Sequence, residues 1–219
     1  LLREACDGDT QDACAELGQA HLLGRGVPQD LPRAVQLLDR ACTEAPPSGC
    51  AVLAELLLTG QAGTPEPKPA LALLERACEQ EQAEGCAALG MVLLTGAGGI
   101  PADPTRGERL VRTACDVQAS PVACGQLATL EAQGVAPVKQ DLGRALGRAR
   151  GACDEGYPPA CTLSGMLLLE PGRSDADATE AAKLLELGCR SGDGNGCALL
   201  GAQLIEGRGQ SPDQKRGLE

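Results

Sequence analysis

Residues 14–50 read CAELGQAHLLGRGVPQDLPRAVQLLDRACTEAPPSGC, and this stretch decides the fold. Counting from Cys14, the positions +3, +4, +7 and +8 hold Leu17, Gly18, His21 and Leu22, which together make one face of an α-helix. Gly24 at +10 suits a left-handed C-terminal cap. A short loop then leads to Asp30, Pro32 and a second periodic run, Ala34, Leu37, Leu38, Ala41 and Cys42. Asp30 reads as the N-cap of this second helix and Pro32 as part of its first turn. The unit is therefore helix A, loop, helix B. A turn, 43–49, carries the chain to Cys50, where the next helix A begins.

The same unit recurs along the whole chain. Its cysteines fall into six pairs that repeat every 36 to 38 residues. They are Cys6 with Cys14, Cys42 with Cys50, Cys78 with Cys86, Cys115 with Cys124, Cys153 with Cys161, and Cys189 with Cys197. Five pairs are spaced C-x7-C, and the pair of Cys115 and Cys124 has one residue more. Glycine recurs at +10 (Gly24, Gly60, Gly96, Gly134, Gly207). An acid recurs twelve residues before each next first cysteine (Asp30, Glu66, Asp103, Asp141, Asp177). A fixed period of this size is the mark of stacked supersecondary units. The expected fold is all-α: an α/α solenoid of about six helix-turn-helix repeats.

Each pair ends one helix B and begins the next helix A. Two antiparallel helices joined by so short a turn bring their cysteines within bonding reach. The spacing predicts six local disulfides, each worth roughly 2–3 kcal/mol in the chain-entropy model. Zinc calls for shorter cysteine spacings or histidine partners, and His21 is the only histidine. A catalytic thiol calls for a cysteine left over, and the pairs leave none. Even pairing points to an oxidising compartment.

Composition agrees. There is no Phe or Trp, and Tyr157, in a Gly-Tyr-Pro-Pro turn where it reads as a packing residue, is the only aromatic. Leu and Ala fill thin helix–helix seams but not a thick globular core. The net charge of −11 sets the surface against nucleic acid. It serves solubility, or favours a basic partner. No stretch reaches the length of a membrane span. The first six residues match the end of helix B and residues 213–219 match its start. The expectation is a single array over 1–219, cut within a repeat at both ends, from a longer precursor with its signal sequence upstream. Leu218-Glu219 reads equally as repeat sequence or as an appended dipeptide.

The run L-G-x-x-[aromatic]-x-x-G-x-G-V-x-x-D followed by A-x-x-L-L-x-x-A-C resembles the Sel-like repeat (SLR) family, relatives of tetratricopeptide repeats. Leu17-Gly18, Gly24, Gly26-Val27, Asp30 and Ala34 carry the match, and the resemblance spans essentially the whole chain. The added C-x7-C pair is similar to the Helicobacter cysteine-rich proteins and to a mitochondrial intermembrane-space member that assists oxidase assembly. The family's tyrosine at +7 is absent; His21, Leu57, Leu93, Glu131, Leu168 and Leu204 stand there. Glu131, and Arg148 where helix B expects leucine, mark the segment from Cys115 to Cys161 as the least regular, by drift or by design.

The resemblance implies an adaptor coiled as a right-handed superhelix whose A helices line the concave side. Offsets +2, +5 and +9 point away from the seam. They run from Glu16/Gln19/Leu23 through Val52/Glu55/Thr59, Ala88/Met91/Thr95 and Gln126/Thr129/Gln133 to Leu163/Met166/Glu170 and Leu199/Ala202/Glu206. Val52, Glu55, Met91, Thr95, Gln126, Thr129, Leu163, Met166 and Leu199 are the expected partner contacts. The competing reading is that this stripe packs on the neighbouring helix A with nothing bound. Lys139, Arg144, Arg148 and Arg150 form the one basic cluster, a solvated face or a contact for an acidic partner.

The functional expectation is a secreted or periplasmic protein–protein interaction scaffold, monomeric, without cofactor or metal, whose partner is a protein or peptide. The alternative, from the same resemblance, is a cell-envelope penicillin-binding protein or weak β-lactamase. No serine here has Lys three residues on and K-T-G is absent, so the expectation is not an enzyme. Haem is equally poorly served by His21, Met91 and Met166.

Overall fold

The computed structural model describes residues 1–8, 10–43, 49–172, 174–209 and 211–218. Most of the 43–49 turn and the last residue of the Leu218-Glu219 pair lie outside them. Every regular element among the described residues is helical. The A helices are α2 (Gln11–Leu23), α4 (Cys50–Thr59), α6 (Ala83–Thr95), α8 (Pro121–Gln133), α10 (Pro158–Leu168) and α12 (Gly194–Glu206). The B helices are α1 (Leu2–Asp7), α3 (Leu31–Thr43), α5 (Pro67–Glu79), α7 (Pro104–Asp116), α9 (Leu142–Asp154), α11 (Asp175–Arg190) and α13 (Gln214–Leu218). They group into two compact units, Leu1–Ala114 and Cys115–Glu219, each a run of stacked antiparallel helix pairs.

The helix ends follow the repeat chemistry. Gly24, Gly60, Gly96, Gly134 and Gly207 close their A helices in the left-handed region, with φ between 67° and 74°. The side chains of Asp30, Asp103 and Asp141 accept from the backbone N–H three residues on, at 2.9–3.0 Å. Glu66 holds the N-cap place without a side-chain bond. Asp177 is a correction. Helix α11 starts earlier, Ser174 is its N-cap, and Asp177 sits in the first turn and reaches back to Ser174 as the second half of a capping box.

The six disulfides join the pairs that the spacing predicts, with Cα–Cα distances of 4.4–4.8 Å. Cys6 is bonded to Cys14, Cys42 to Cys50, Cys78 to Cys86, Cys115 to Cys124, Cys153 to Cys161 and Cys189 to Cys197. They sit where each B helix turns into the next A helix. Cys86 is buried in α6, whereas Cys124 is half-buried in α8. The extra residue before Cys124 is absorbed in a turn where Ala119 adopts a φ of 53°. Its bond to Cys115 still closes at a Cα–Cα distance of 4.6 Å. Arg76 lies over the preceding staple, its Nη2 donating to the Cys42 carbonyl at 2.7 Å and lying 3.2 Å from Cys42 Sγ.

Small residues at +4 set the seam between the two helices of a repeat. A Cβ added to Gly90 would lie 2.8 Å from the Gly107 carbonyl oxygen, and one on Gly107 would lie 2.6 Å from that of Gly90. Gly201 and Gly217 repeat this contact at 2.8 Å. Tyr157 packs its ring over Gly125, whose Cβ would meet it at 2.6 Å. The single aromatic thus works as a packing residue at its turn. Ion pairs tie successive B helices within each unit: Arg106–Glu75, Arg150–Glu180 and Arg216–Glu186.

Candidate functional site

The outer stripe follows from the helical period. Seam offsets 0, +3 and +4 are buried in α2, α4 and α6, whereas no residue at +2, +5 or +9 of any A helix is buried. The +2 residues Val52, Ala88, Gln126, Leu163 and Leu199 are half-buried. Val52, Ala88 and Leu199 reach back onto the apolar clusters. Glu55, Thr95, Met166, Glu170, Ala202 and Glu206 are exposed, and Met91 and Thr129 are half-exposed. The stripe therefore divides. Its +2 edge joins the helix–helix packing, and most of its +5 and +9 residues face outward.

The stripe threonines spend their hydroxyl hydrogens on their own helices. Thr59 donates to the Glu55 carbonyl at 2.8 Å, Thr95 to Met91 at 2.9 Å and Thr129 to Gly125 at 3.0 Å. What the threonines and glutamates then present outward is mostly acceptor oxygen.

Among the described residues, each unit has a hollow that takes in part of this stripe. In the second unit a cavity of about 300 Å³ lies between α10 and α12. It gathers the predicted Met166 and Leu199 with Glu170, Ala202 and Glu206 of the same stripe. It adds Leu169, Pro171, Gln203 and Arg208, which the sequence did not single out. Gln203 stands at +6, where periodicity assigns no face, and Arg208 lies in the loop after α12; no pattern in the repeat flags either. In the first unit a hollow of about 220 Å³ includes Gln19, Val52, Asp12, Gln82 and Glu84. Glu55, Met91, Thr95, Gln126, Thr129 and Leu163 lie outside both hollows.

The basic cluster is drawn into the fold. Arg144 pairs with Asp141 and Glu131, Arg148 with Asp116 and Glu131, and Arg150 with Glu180. These arginines are engaged by the chain's own acids, so the cluster is not an open basic patch.

Nothing in the described residues gathers three or more His, Cys, Asp or Glu side chains as a metal site would. Among them no helix is long and apolar enough to cross a membrane. Ser164 is fully buried and donates to the Ala160 carbonyl, while Ser120 and Ser174 serve as N-caps.

The fold has solved counterparts. A Sel1 repeat protein from Oxalobacter formigenes superposes with a TM-score of 0.68 at 20% identity, over 95% of this chain and 84% of that one. A protective antigen of uropathogenic Escherichia coli strains, with an SLR fold, gives 0.67 at 19% identity. That match covers 99% of this chain but 46% of the antigen, so the chain spans less than half of its length. A Sel1 repeat protein from Klebsiella pneumoniae gives 0.60 at 21% identity, over 91% and 95% of the two chains. No curated protein sequence matches. The Sel1 repeat model matches residues 11–45, 47–81, 83–116 and 158–193, more than half of the chain. The chain belongs to the Sel1 repeat family.

Proposed function

We propose that the chain is a secreted or periplasmic scaffold that presents the outer face of its A helices to a protein or peptide partner. Sel1 repeat proteins are generally protein–protein interaction scaffolds. The observation that carries the reading is the contrast on the A helices, with the seam packed and the outer stripe unburied. The +5 and +9 side chains, most of them exposed, remain available to a partner. Six staples fix the register of that face, which lowers the ordering cost of binding. They also fit an oxidising compartment.

The test is selection of binding peptides on the full oxidised chain, followed by titration against Met91→Lys and Met166→Lys. A buried lysine introduced into an interface weakens binding by about tenfold or more. Loss of binding in either variant supports the reading; selected peptides indifferent to both would sink it. Sustained nitrocefin turnover by the pure protein would instead favour an envelope hydrolase.

A further inference from the structure

The hollow between α10 and α12 has a chemistry of its own. Its floor is apolar, formed by Met166, Leu169, Leu199 and Ala202. Met166 is 46% exposed, a large apolar side chain held open to solvent. Methionine is adaptable and polarisable, suited to an apolar guest of variable shape. The rim carries two exposed carboxylates, Glu170 and Glu206, against one cation, Arg208. Arg208 is partly committed, its Nη2 donating to the Leu169 carbonyl at 3.1 Å.

Gln203 adds a second, independent observation. It is only 2% exposed, yet it lines the hollow. Its Nε2 donates to the Ala178 carbonyl at 2.7 Å and to the Arg208 carbonyl at 2.9 Å. Those bonds use both amide hydrogens and fix which end of the amide is oxygen. Its buried Oε1 accepts no hydrogen bond from any described residue. A buried acceptor left unmet carries a desolvation cost.

Resting on the scaffold reading, we propose that this hollow receives a partner peptide's leucine or methionine flanked by lysine or arginine. The apolar side chain covers Met166 and Leu199. The flanking cation answers Glu170 and Glu206. Charge favours this occupant: the chain carries a net −11, and acids outnumber the cation at the rim. At about 300 Å³ the space lies at the low end for a small-ligand pocket. That suits one long side chain with its neighbouring backbone.

The experiment uses the full oxidised chain and fluorescein-labelled synthetic peptides with a Lys-Leu-Lys core. Lys-Ser-Lys and Glu-Leu-Glu cores are the counterparts, and anisotropy is the readout. The Lys-Leu-Lys peptide should bind at least about tenfold more tightly than either, and lose affinity with added salt. Met166→Lys and the double variant Glu170→Gln/Glu206→Gln should each weaken it at least about fivefold. All three positions are exposed, and unchanged circular dichroism with no free thiol checks their folding. Equal binding of Glu-Leu-Glu, or affinity untouched by both variants, overturns the assignment. If Met91→Lys abolishes binding and the α10–α12 variants do not, the scaffold reading stands and this site falls. If no peptide binds this face at all, both fall.

Discussion

Glu131 of α8 and Arg148 of α9 face each other at 3.2 Å, and the carboxylate is fully buried. Arg144 approaches the same carboxylate at 3.4 Å, and Arg148 also reaches Asp116. Two residues that break the repeat pattern are thus halves of one interaction. Where four of the other A helices carry Leu at +7, this repeat has an acid; where its B helix expects leucine, it has the matching arginine. Removing Arg148 leaves the buried carboxylate with Arg144 alone, a side chain half-exposed to solvent. Arg148→Leu should cost about 3 kcal/mol in a urea titration. Glu131→Leu/Arg148→Leu should return to within about 1 kcal/mol of the parent, because the pair then resembles its neighbours. A double variant no better than the single would refute the coupling.

Glu81 has φ 58°, in the place that Gly156 and Gly192 take in their own turns with φ of 87° and 96°. Each precedes an N-cap residue whose N–H reaches back over the turn: Gln82 to Ala77, Tyr157 to Ala152 and Asp193 to Gly188. A side chain in the left-handed region costs roughly 1 kcal/mol. Glu81→Gly should therefore raise the melting temperature by a few degrees, whereas Glu79→Gly, at the end of α5, should not.

The Gly90–Gly107 contact leaves no room for a methyl group on either helix. Gly90→Ala should cost about 2 kcal/mol and Gly90→Val more, since the obstruction is backbone. Gly151 lies in α9 with nothing near its missing Cβ, so Gly151→Ala should stabilise by up to about 1 kcal/mol.

The staples differ in access. Cys197 is exposed and Cys189 half-buried, while Cys42 and Cys50 are 0% and 2% exposed. Graded reduction followed by alkylation should open Cys189–Cys197 first and Cys42–Cys50 late, because exchange requires access to sulfur. Removing an inner pair with serines should cost roughly 2–3 kcal/mol.

Most of this fold is legible in the sequence because each signal is repeated. Asp30, Asp103 and Asp141 recur at one register, as do the glycines at +10, and a recurring residue states its role. What occurs once is harder to read. Asp177 occupies the right register, but Ser174 starts its helix early. Glu131 and Arg148 lie on different helices, and only packing reveals that their charges meet. Met166 and Leu199 can be placed on the outer face by periodicity. The hollow they share also needs Gln203 and the loop residue Arg208, whose positions depend on tertiary geometry.

The cysteines are architecture, local staples at constant register that fit an oxidising compartment. Non-reducing peptide mapping, with mass spectrometry, of the protein recovered from its source reads the pairing out. The expected map shows no free thiol and only the six local pairs, from Cys6 with Cys14 through Cys78 with Cys86 and Cys115 with Cys124 to Cys189 with Cys197. Several free thiols, or bonds linking cysteines of non-adjacent helices, would contradict it.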